Sequence, residues 1–145
     1  MQLRFRFYPN TEVPEGEFDW VAQCEVGAFM GFQTFIVDQT DFSADVPILY
    51  FAHSLRVASW KFNQGIQDYT HYDVDSQWEV YFKKKNDIVE ISDNHTPPRI
   101  GIVLFLDFIS ASEAYAQDVY GTCCVMCPEL KERVGGWWNF QNEQV

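Results

Sequence analysis

Basic residues are scarce in this sequence. Ten Lys and Arg side chains stand against 21 Asp and Glu, which gives a formal net charge of -11 at pH 7. A protein that neutralises nucleic-acid phosphates needs a basic patch, and an anionic membrane surface attracts the same positive charge. The basic run Lys83-Lys84-Lys85 falls at a predicted hairpin tip. The composition therefore disfavours nucleic acid and membrane surfaces as partners and favours a basic protein or a cation.

Long apolar runs and export signals are also lacking. The longest apolar run, Ile100 to Leu106, is far shorter than the ~20 residues that a membrane-spanning helix needs. Met1 to Tyr8 alternates charged and aromatic residues and has no apolar stretch typical of a signal peptide. We therefore expect a cytoplasmic protein whose cysteines are reduced thiols: Cys24, Cys123, Cys124 and Cys127.

Signatures of catalysis and of cofactor binding are missing too. Cys123, Cys124 and Cys127 lack the second pair of ligands that a zinc site usually has, and we expect them to be small buried hydrophobic residues. The Gly27 to Gly31 segment lacks the spacing and the lysine of a phosphate-binding loop. The sequence thus predicts neither a metal nor a cofactor, and a protein that is not an enzyme.

One cluster keeps an alternative open. His71, Asp73 and Asp75 fall on one side of a predicted strand. They could hold a divalent cation, form an acid–base pair, or line a solvated sheet face. With His71 and Asp73 as polar groups, an aromatic-lined pocket would make this a small-molecule-binding or catalytic α+β domain.

Apolar and aromatic residues are plentiful. The sequence is 47% hydrophobic and 17% aromatic, which is enough for a substantial core despite the charge. A chain of 145 residues is the size of one domain, so we predict a single globular domain over residues 1–145.

The apolar periodicity predicts the fold class. Period-two alternation indicates strands, and apolar residues at i, i+3 and i+4 over Val46 to Phe62 indicate an amphipathic helix. Ser110 to Glu113 resembles a capping box that opens a second helix, which ends near Cys127. We therefore predict an α+β fold with one mainly antiparallel sheet of about six strands covered by two helices. The predicted strands are segments 3–8, 18–24, 29–37, 69–74, 78–82, 88–91 and 100–108. We expect the last of these strands to be central in the sheet, because it is apolar on both faces.

Candidate partner-binding residues come from the acidic patches and from the first predicted helix. Tyr50 and Trp60 lie outside the apolar face of that helix, and Tyr and Trp are enriched at binding hot spots. The predicted partner contacts are Asp38, Asp41, Asp45, Tyr50, Trp60, Asp73, Asp75 and Glu79. The Trp137-Trp138 tail either docks on the body or anchors the protein in a larger assembly.

Four segments carry a family resemblance: the Leu3 to Phe7 strand, the helix opening at Pro47 to Ala52, the segment Tyr69 to Phe82, and the final capped helix. Over its whole length the chain resembles the small acidic immunity proteins of bacterial polymorphic and contact-dependent toxin systems. The resemblance implies a non-enzymatic cytoplasmic inhibitor that occludes a cognate toxin. The acidity suggests a basic toxin such as a nuclease, while the oligomeric state stays open.

Overall fold

The structure, a computed structural model, describes residues 1–143 and has an α+β fold, as predicted. Within these residues there are two antiparallel sheets and four α-helices. The strands are β1 (Gln2–Phe7), β2 (Met30–Val37), β3 (Thr40–Asp41), β4 (Ala44–Pro47), β5 (Asp68–Tyr72), β6 (Glu79–Lys85), β7 (Ile88–Asp93) and β8 (Ile100–Leu104). The helices are α1 (Trp20–Val26), α2 (Ile48–Asn63), α3 (Phe105–Met126) and α4 (Leu130–Trp138), followed by a 3-10 turn (Phe140–Glu143).

The prediction of one six-stranded sheet is wrong, because the strands divide into two four-stranded sheets. In the first sheet β2 pairs with β1 on one side and with β3 and β4 on the other. The second sheet follows chain order, β5-β6-β7-β8. Each sheet pairs only strands from its own half of the chain, with α2 between the halves. Periodicity identifies which residues face the core, but it does not tell which strands pair.

Helix α2 lies at its predicted position and forms the centre of the core. Phe51 packs against Phe35 of the first sheet at a ring separation of 5.5 Å and stacks on Trp78, beside the second sheet, at 5.8 Å. Leu49, Phe51 and Leu55 have no exposed surface. Because one helix contacts both sheets, burial of its apolar side chains holds the two halves together.

Segment 18–24 was predicted as a strand and is instead the helix α1. The Asp19 side chain accepts a hydrogen bond from the backbone N–H of Ala22, which caps the helix N-terminus. Trp20 and Cys24 are then four residues apart on one buried face. The apolar residues here fit both the strand and the helix period, and the cap at Asp19 favours the helix.

The last predicted strand and the second predicted helix both have wrong boundaries. Strand β8 ends at Leu104, and α3 begins at Phe105, upstream of the Ser110 to Glu113 box. The early start buries Phe108, which packs against Phe62 and Phe82. Strand β8 is also an edge strand rather than a central one: its outer face, Ile100, Ile102 and Leu104, is 50–55% exposed.

The C-terminal segment docks on the body. Trp138 is 1% exposed, and its ring stacks on Tyr120 at 4.5 Å. The Arg56 guanidinium lies 4.7 Å from the Trp138 ring and donates a 2.7 Å hydrogen bond to the Trp138 carbonyl oxygen. Of the two alternatives for the Trp137-Trp138 tail, the structure therefore shows the first: the tail docks on the body and Trp138 is part of the core.

Candidate protein-interaction surface

Two acidic segments meet at Tyr50. The Tyr50 hydroxyl donates a 2.9 Å hydrogen bond to the carbonyl oxygen of Tyr72, at the end of β5. Burial raises the pKa of Tyr50 to about 12, and the nearby carboxylates of Glu25 and Asp73 act in the same direction. Glu25 belongs to α1 and Asp73 to the β5–β6 turn. We call the surface formed by segments 12–25 and 73–79 around Tyr50 the acidic face.

The first segment of the acidic face, residues 12–25, has no basic residue of its own. The sequence has no Lys or Arg from Phe7 to Leu55. Arg133 reaches this segment from α4 and lies 3.6 Å from the Glu17 carboxylate, an exposed pair that contributes little stability. Burial raises the pKa of Glu25, and the Asp19 carboxylate adds to that effect. Like charge is thus crowded at Glu25 within this segment.

The second segment, residues 73–79, is a tight turn held by Asp73. The Asp73 Oδ1 atom accepts hydrogen bonds from the backbone N–H groups of Asp75 and Ser76, each at 3.2 Å. This leaves Asp75 exposed at the tip, beside Val74, which is 56% exposed. The sequence again has no Lys or Arg from Phe62 to Phe82. The buried carboxylate of Asp73 shapes the turn, and Asp75 presents its charge to solvent.

Exposed apolar side chains accompany these charges. Phe18 is 69% exposed at the start of α1, and Val26 at its end is 45% exposed. Tyr72, whose carbonyl oxygen receives the Tyr50 hydrogen bond, is 56% exposed. A surface that combines carboxylates with aromatic and aliphatic side chains suits a protein partner better than a small ion, since such side chains serve as anchors in interfaces.

The predicted contacts Asp38, Asp41 and Asp45 belong to the first sheet. All three are exposed. Asp45 accepts a hydrogen bond from the Tyr8 hydroxyl. The pKa of Asp41 is lowered, mainly by hydrogen bonds from Ser43, with a smaller contribution from the Arg99 guanidinium. The charges of Asp41 and Asp45 are partly matched by these donors, and none of the three residues belongs to the segments of the acidic face.

Trp60 and Glu79 are less available than the sequence analysis expected. Trp60 lies ten residues beyond Tyr50 on α2, which is about 15 Å along the helix, and the Phe140 ring packs edge-on against it at 5.7 Å. Glu79 is half-buried and accepts a hydrogen bond from the Tyr81 hydroxyl. Of the eight predicted contacts, Tyr50, Asp73 and Asp75 are brought together at the acidic face, with Glu79 at its border.

A buried polar cluster lies beneath Tyr50. The Ser54 hydroxyl and His71 Nδ1 share a 2.7 Å hydrogen bond, and both residues are 1% exposed. Burial lowers the pKa of His71 to about 3. The rings of Tyr50 and Phe51 each lie 4.8 Å from the His71 ring. A substrate could reach this pair only by displacing Tyr50 or its neighbours, so the cluster is better suited to support the surface than to perform catalysis.

The cysteines form a second buried group. Cys24 on α1 lies close enough to Cys123 and Cys127 for the thiols to raise one another's pKa values. In the sequence, Cys24 is about a hundred residues away from these two cysteines. Burial raises the pKa of Cys24 to about 12 and raises the pKa of Cys123. Thiols with raised pKa values are poor nucleophiles and poor metal ligands. Within residues 1–143, no group of three or more His, Cys, Asp or Glu side chains is arranged to hold a metal ion.

Sequence reasoning missed Glu25, Phe18 and Val26. Segment 18–24 was assigned the strand period, which would have separated these residues along an extended chain. The signal that could have placed them is Asp19, whose cap converts the segment into a short helix. With that helix, Phe18 and Val26 both border one groove on the surface.

Comparison with protein-family models, with curated proteins and with solved structures finds no match to this chain. In the part of the chain that the structure describes, none of the helices has the length and apolar character needed to cross a bilayer.

Proposed function

We propose that this protein is a protein-binding inhibitor, an immunity protein that neutralises a cognate basic toxin by occluding it. The observation that carries the proposal is the convergence of two base-free acidic segments at Tyr50, with Phe18, Val26 and Val74 exposed among them. Such an inhibitor would act in the cytoplasm, where its four free thiols stay reduced.

Electrostatics and burial have different roles in this mechanism. A surface of one sign accelerates encounter with a partner of the other sign, toward roughly 10⁸–10⁹ M⁻¹s⁻¹ at low salt. Aromatic and aliphatic anchors then exclude water and slow dissociation. Carboxylates at the acidic face would take the place of phosphates in a nuclease site, so the inhibitor would cover the catalytic surface without performing chemistry.

The test is capture followed by rescue. Wild-type protein, the double variant Glu25→Lys with Asp75→Lys, and the control Asp118→Lys serve as baits for proteins of the source organism. Asp118 is an exposed carboxylate on α3, outside the acidic face. We expect one partner to be retained by the wild type and the control and lost by the double variant.

The captured partner is then expressed in a heterologous bacterium with and without this protein. We expect arrested growth in its absence and restored growth in its presence. A partner that is harmless alone, or one that the double variant retains equally well, would contradict the proposal.

A further inference from the structure

A preformed groove runs between segment 12–18 and α1 at one side of the acidic face. Its volume is about 310 Å³. Val13, Phe18, Ala22 and Val26 contribute apolar walls, and Glu12 contributes a carboxylate. An adjoining groove of about 200 Å³ continues past Glu12 and is lined by Val13, Glu15 and Gln23. The two grooves share Glu12, Val13 and Gln23, so the combined site has apolar lining residues beside acidic ones.

The groove is rigid because both of its walls are tied together. The Gln23 side chain accepts a 3.0 Å hydrogen bond from the backbone N–H of Glu15 and donates to the carbonyl oxygens of Glu15 and Phe18 at 3.1 and 3.0 Å. The Trp20 indole N–H donates a 2.9 Å hydrogen bond to the Gly16 carbonyl oxygen. A site that is already ordered loses little entropy when it binds a ligand.

The Glu12 carboxylate lies over Gly27. Its Oε2 atom is 4.0 Å from the position that a Cβ at Gly27 would occupy, and within residues 1–143 no other atom outside Gly27 and its two chain neighbours comes as near. The Glu12 carbonyl oxygen accepts a 2.8 Å hydrogen bond from the backbone N–H of Phe29, which fixes the base of this wall. The carboxylate therefore lies beside an open space that a side chain from outside can enter.

We propose that this groove is the anchor site for one arginine side chain of the protein partner. The guanidinium pairs with the Glu12 carboxylate and stacks on the exposed Phe18 ring, while the methylenes lie on Val13 and Val26. Arginine fits better than lysine because its planar fork matches a carboxylate, stacks on aromatic rings and is weakly hydrated. The inference rests on the proposed function, since it assigns the partner's chemistry at one part of the acidic face.

The probe is N-acetyl-arginine N-methylamide, titrated into labelled protein and followed by NMR. The citrulline analogue is the neutral isostere, and the lysine analogue tests the need for a planar cation. We expect the arginine probe to shift the resonances of Glu12, Phe18, Val26 and Gly27. It should bind at least about threefold more tightly than the neutral citrulline analogue, the ratio expected from one exposed cation–π contact, and more tightly than the lysine analogue, which lacks the planar fork. Equal binding of the citrulline analogue overturns the assignment.

Gly27→Leu fills the groove without strain. Gly27 has φ -141° and ψ -14°, which an L-residue can adopt, and the nearest atom is the end of the flexible Glu12 side chain. Gly121→Leu is the matched control, because Gly121 is exposed on α3 with no atom within 4 Å of its Cβ position. We expect Gly27→Leu to weaken arginine binding at least about tenfold and Gly121→Leu to leave it unchanged. Undiminished binding to Gly27→Leu overturns the site.

The experiments distinguish a wrong arginine site from a wrong proposed function. If the arginine probe does not bind but the macromolecular partner is still lost on reversal at Glu25 and Asp75, the arginine site is wrong and the inhibitor proposal stands. If the probe binds to the groove but no toxic partner is captured, the arginine chemistry stands and the inhibitor proposal fails.

Discussion

Gln23 and Glu15 form a two-way clamp. The Gln23 side-chain oxygen accepts a hydrogen bond from the Glu15 backbone N–H, and its amide nitrogen donates to the Glu15 carbonyl oxygen. The same nitrogen also donates to the Phe18 carbonyl oxygen. The Gln23 side chain thus makes hydrogen bonds to the backbone of residues 15–18 that a neighbouring strand would make in a sheet. The first segment of the acidic face owes its shape to this contact, because residues 15–18 belong to neither sheet.

Gln23→Ala should release the loop without unfolding the protein. Losing these hydrogen bonds should lower the free energy of unfolding by about 1–2 kcal/mol, since part of the loss is regained from water. Amide hydrogen exchange of residues 15–18 should accelerate, and urea denaturation should give the stability change. Gln117→Ala is the control, because the exposed Gln117 amide donates only to Glu113 on its own helix. Unchanged exchange at residues 15–18 would show that the clamp does not order the loop.

Trp138→Ala should be among the most destabilising single substitutions. It empties a buried site, removes the ring that stacks on Tyr120 and leaves the Arg56 guanidinium without its aromatic partner. We expect a loss of about 3–5 kcal/mol in the free energy of unfolding, measured by chemical denaturation. Trp137→Ala, at a half-buried position, should have a smaller effect.

Truncation after Val134 extends this experiment. We expect loss of folding, because the docked tail belongs to the core. A truncated chain that keeps its stability but loses an assembly partner would instead support an adaptor role for the Trp137-Trp138 tail.

Asp93→Asn should destabilise the connection between β7 and β8. The Asp93 carboxylate accepts hydrogen bonds from the Trp78 indole at 3.0 Å and from the Arg99 guanidinium at 2.6 and 2.9 Å. Burial alone would raise the pKa of Asp93, but these donors outweigh it and hold the pKa below its ordinary value. We expect the substitution to lower the free energy of unfolding by about 3 kcal/mol. A neutral effect in chemical denaturation would contradict this account of the carboxylate.

Two histidines, the buried His71 and the half-buried His53, make stability depend on pH. Burial lowers the pKa of His53 to about 4 and that of His71 to about 3, against 6.5 for the ordinary group. Between these values and 6.5, the unfolded chain binds protons that the folded protein does not bind. Stability should therefore decline as pH falls from about 6.5 toward 4, with each histidine contributing up to about 1.4 kcal/mol per pH unit.

The measurement is the thermal midpoint as a function of pH. His53→Gln and His71→Gln should each flatten the decline, because each variant lacks an imidazole that only the unfolded chain protonates in this range. A wild-type midpoint that is constant from pH 7 to pH 4 would contradict the burial of both imidazoles.

The sequence was sufficient for the elements whose period is unambiguous. Helix α2 and strands β1, β2, β6 and β7 lie where the apolar pattern predicts them. It was insufficient where one pattern fits two structures, as at Trp20 and Cys24, which suit a strand or a helical face equally well. It also failed at β8, whose exposed isoleucines were read as a sign of burial on both faces. Apolar runs show which residues can be buried, but neighbouring elements decide which are.

The candidate surface was only partly predictable for a related reason. The acidic residues could be counted, but their grouping depends on tertiary contacts between α1, α2 and the β5–β6 turn. Asp73 and Asp75 were identified because they belong to an acidic patch and fall on one side of a predicted strand. Glu25 was not, because nothing local to it indicates that Tyr50 and Asp73 lie beside it.

The most direct test of the acidic face is the association rate of the captured partner as a function of salt. Between about 0.05 and 0.5 M salt the Debye length shortens roughly threefold. We expect the wild-type rate constant to fall at least about tenfold over this range. We also expect that the Glu25→Lys, Asp75→Lys double variant starts slow and changes little, while Asp118→Lys follows the wild type. Association that is insensitive to both salt and charge reversal would contradict the claim that this face binds a basic partner.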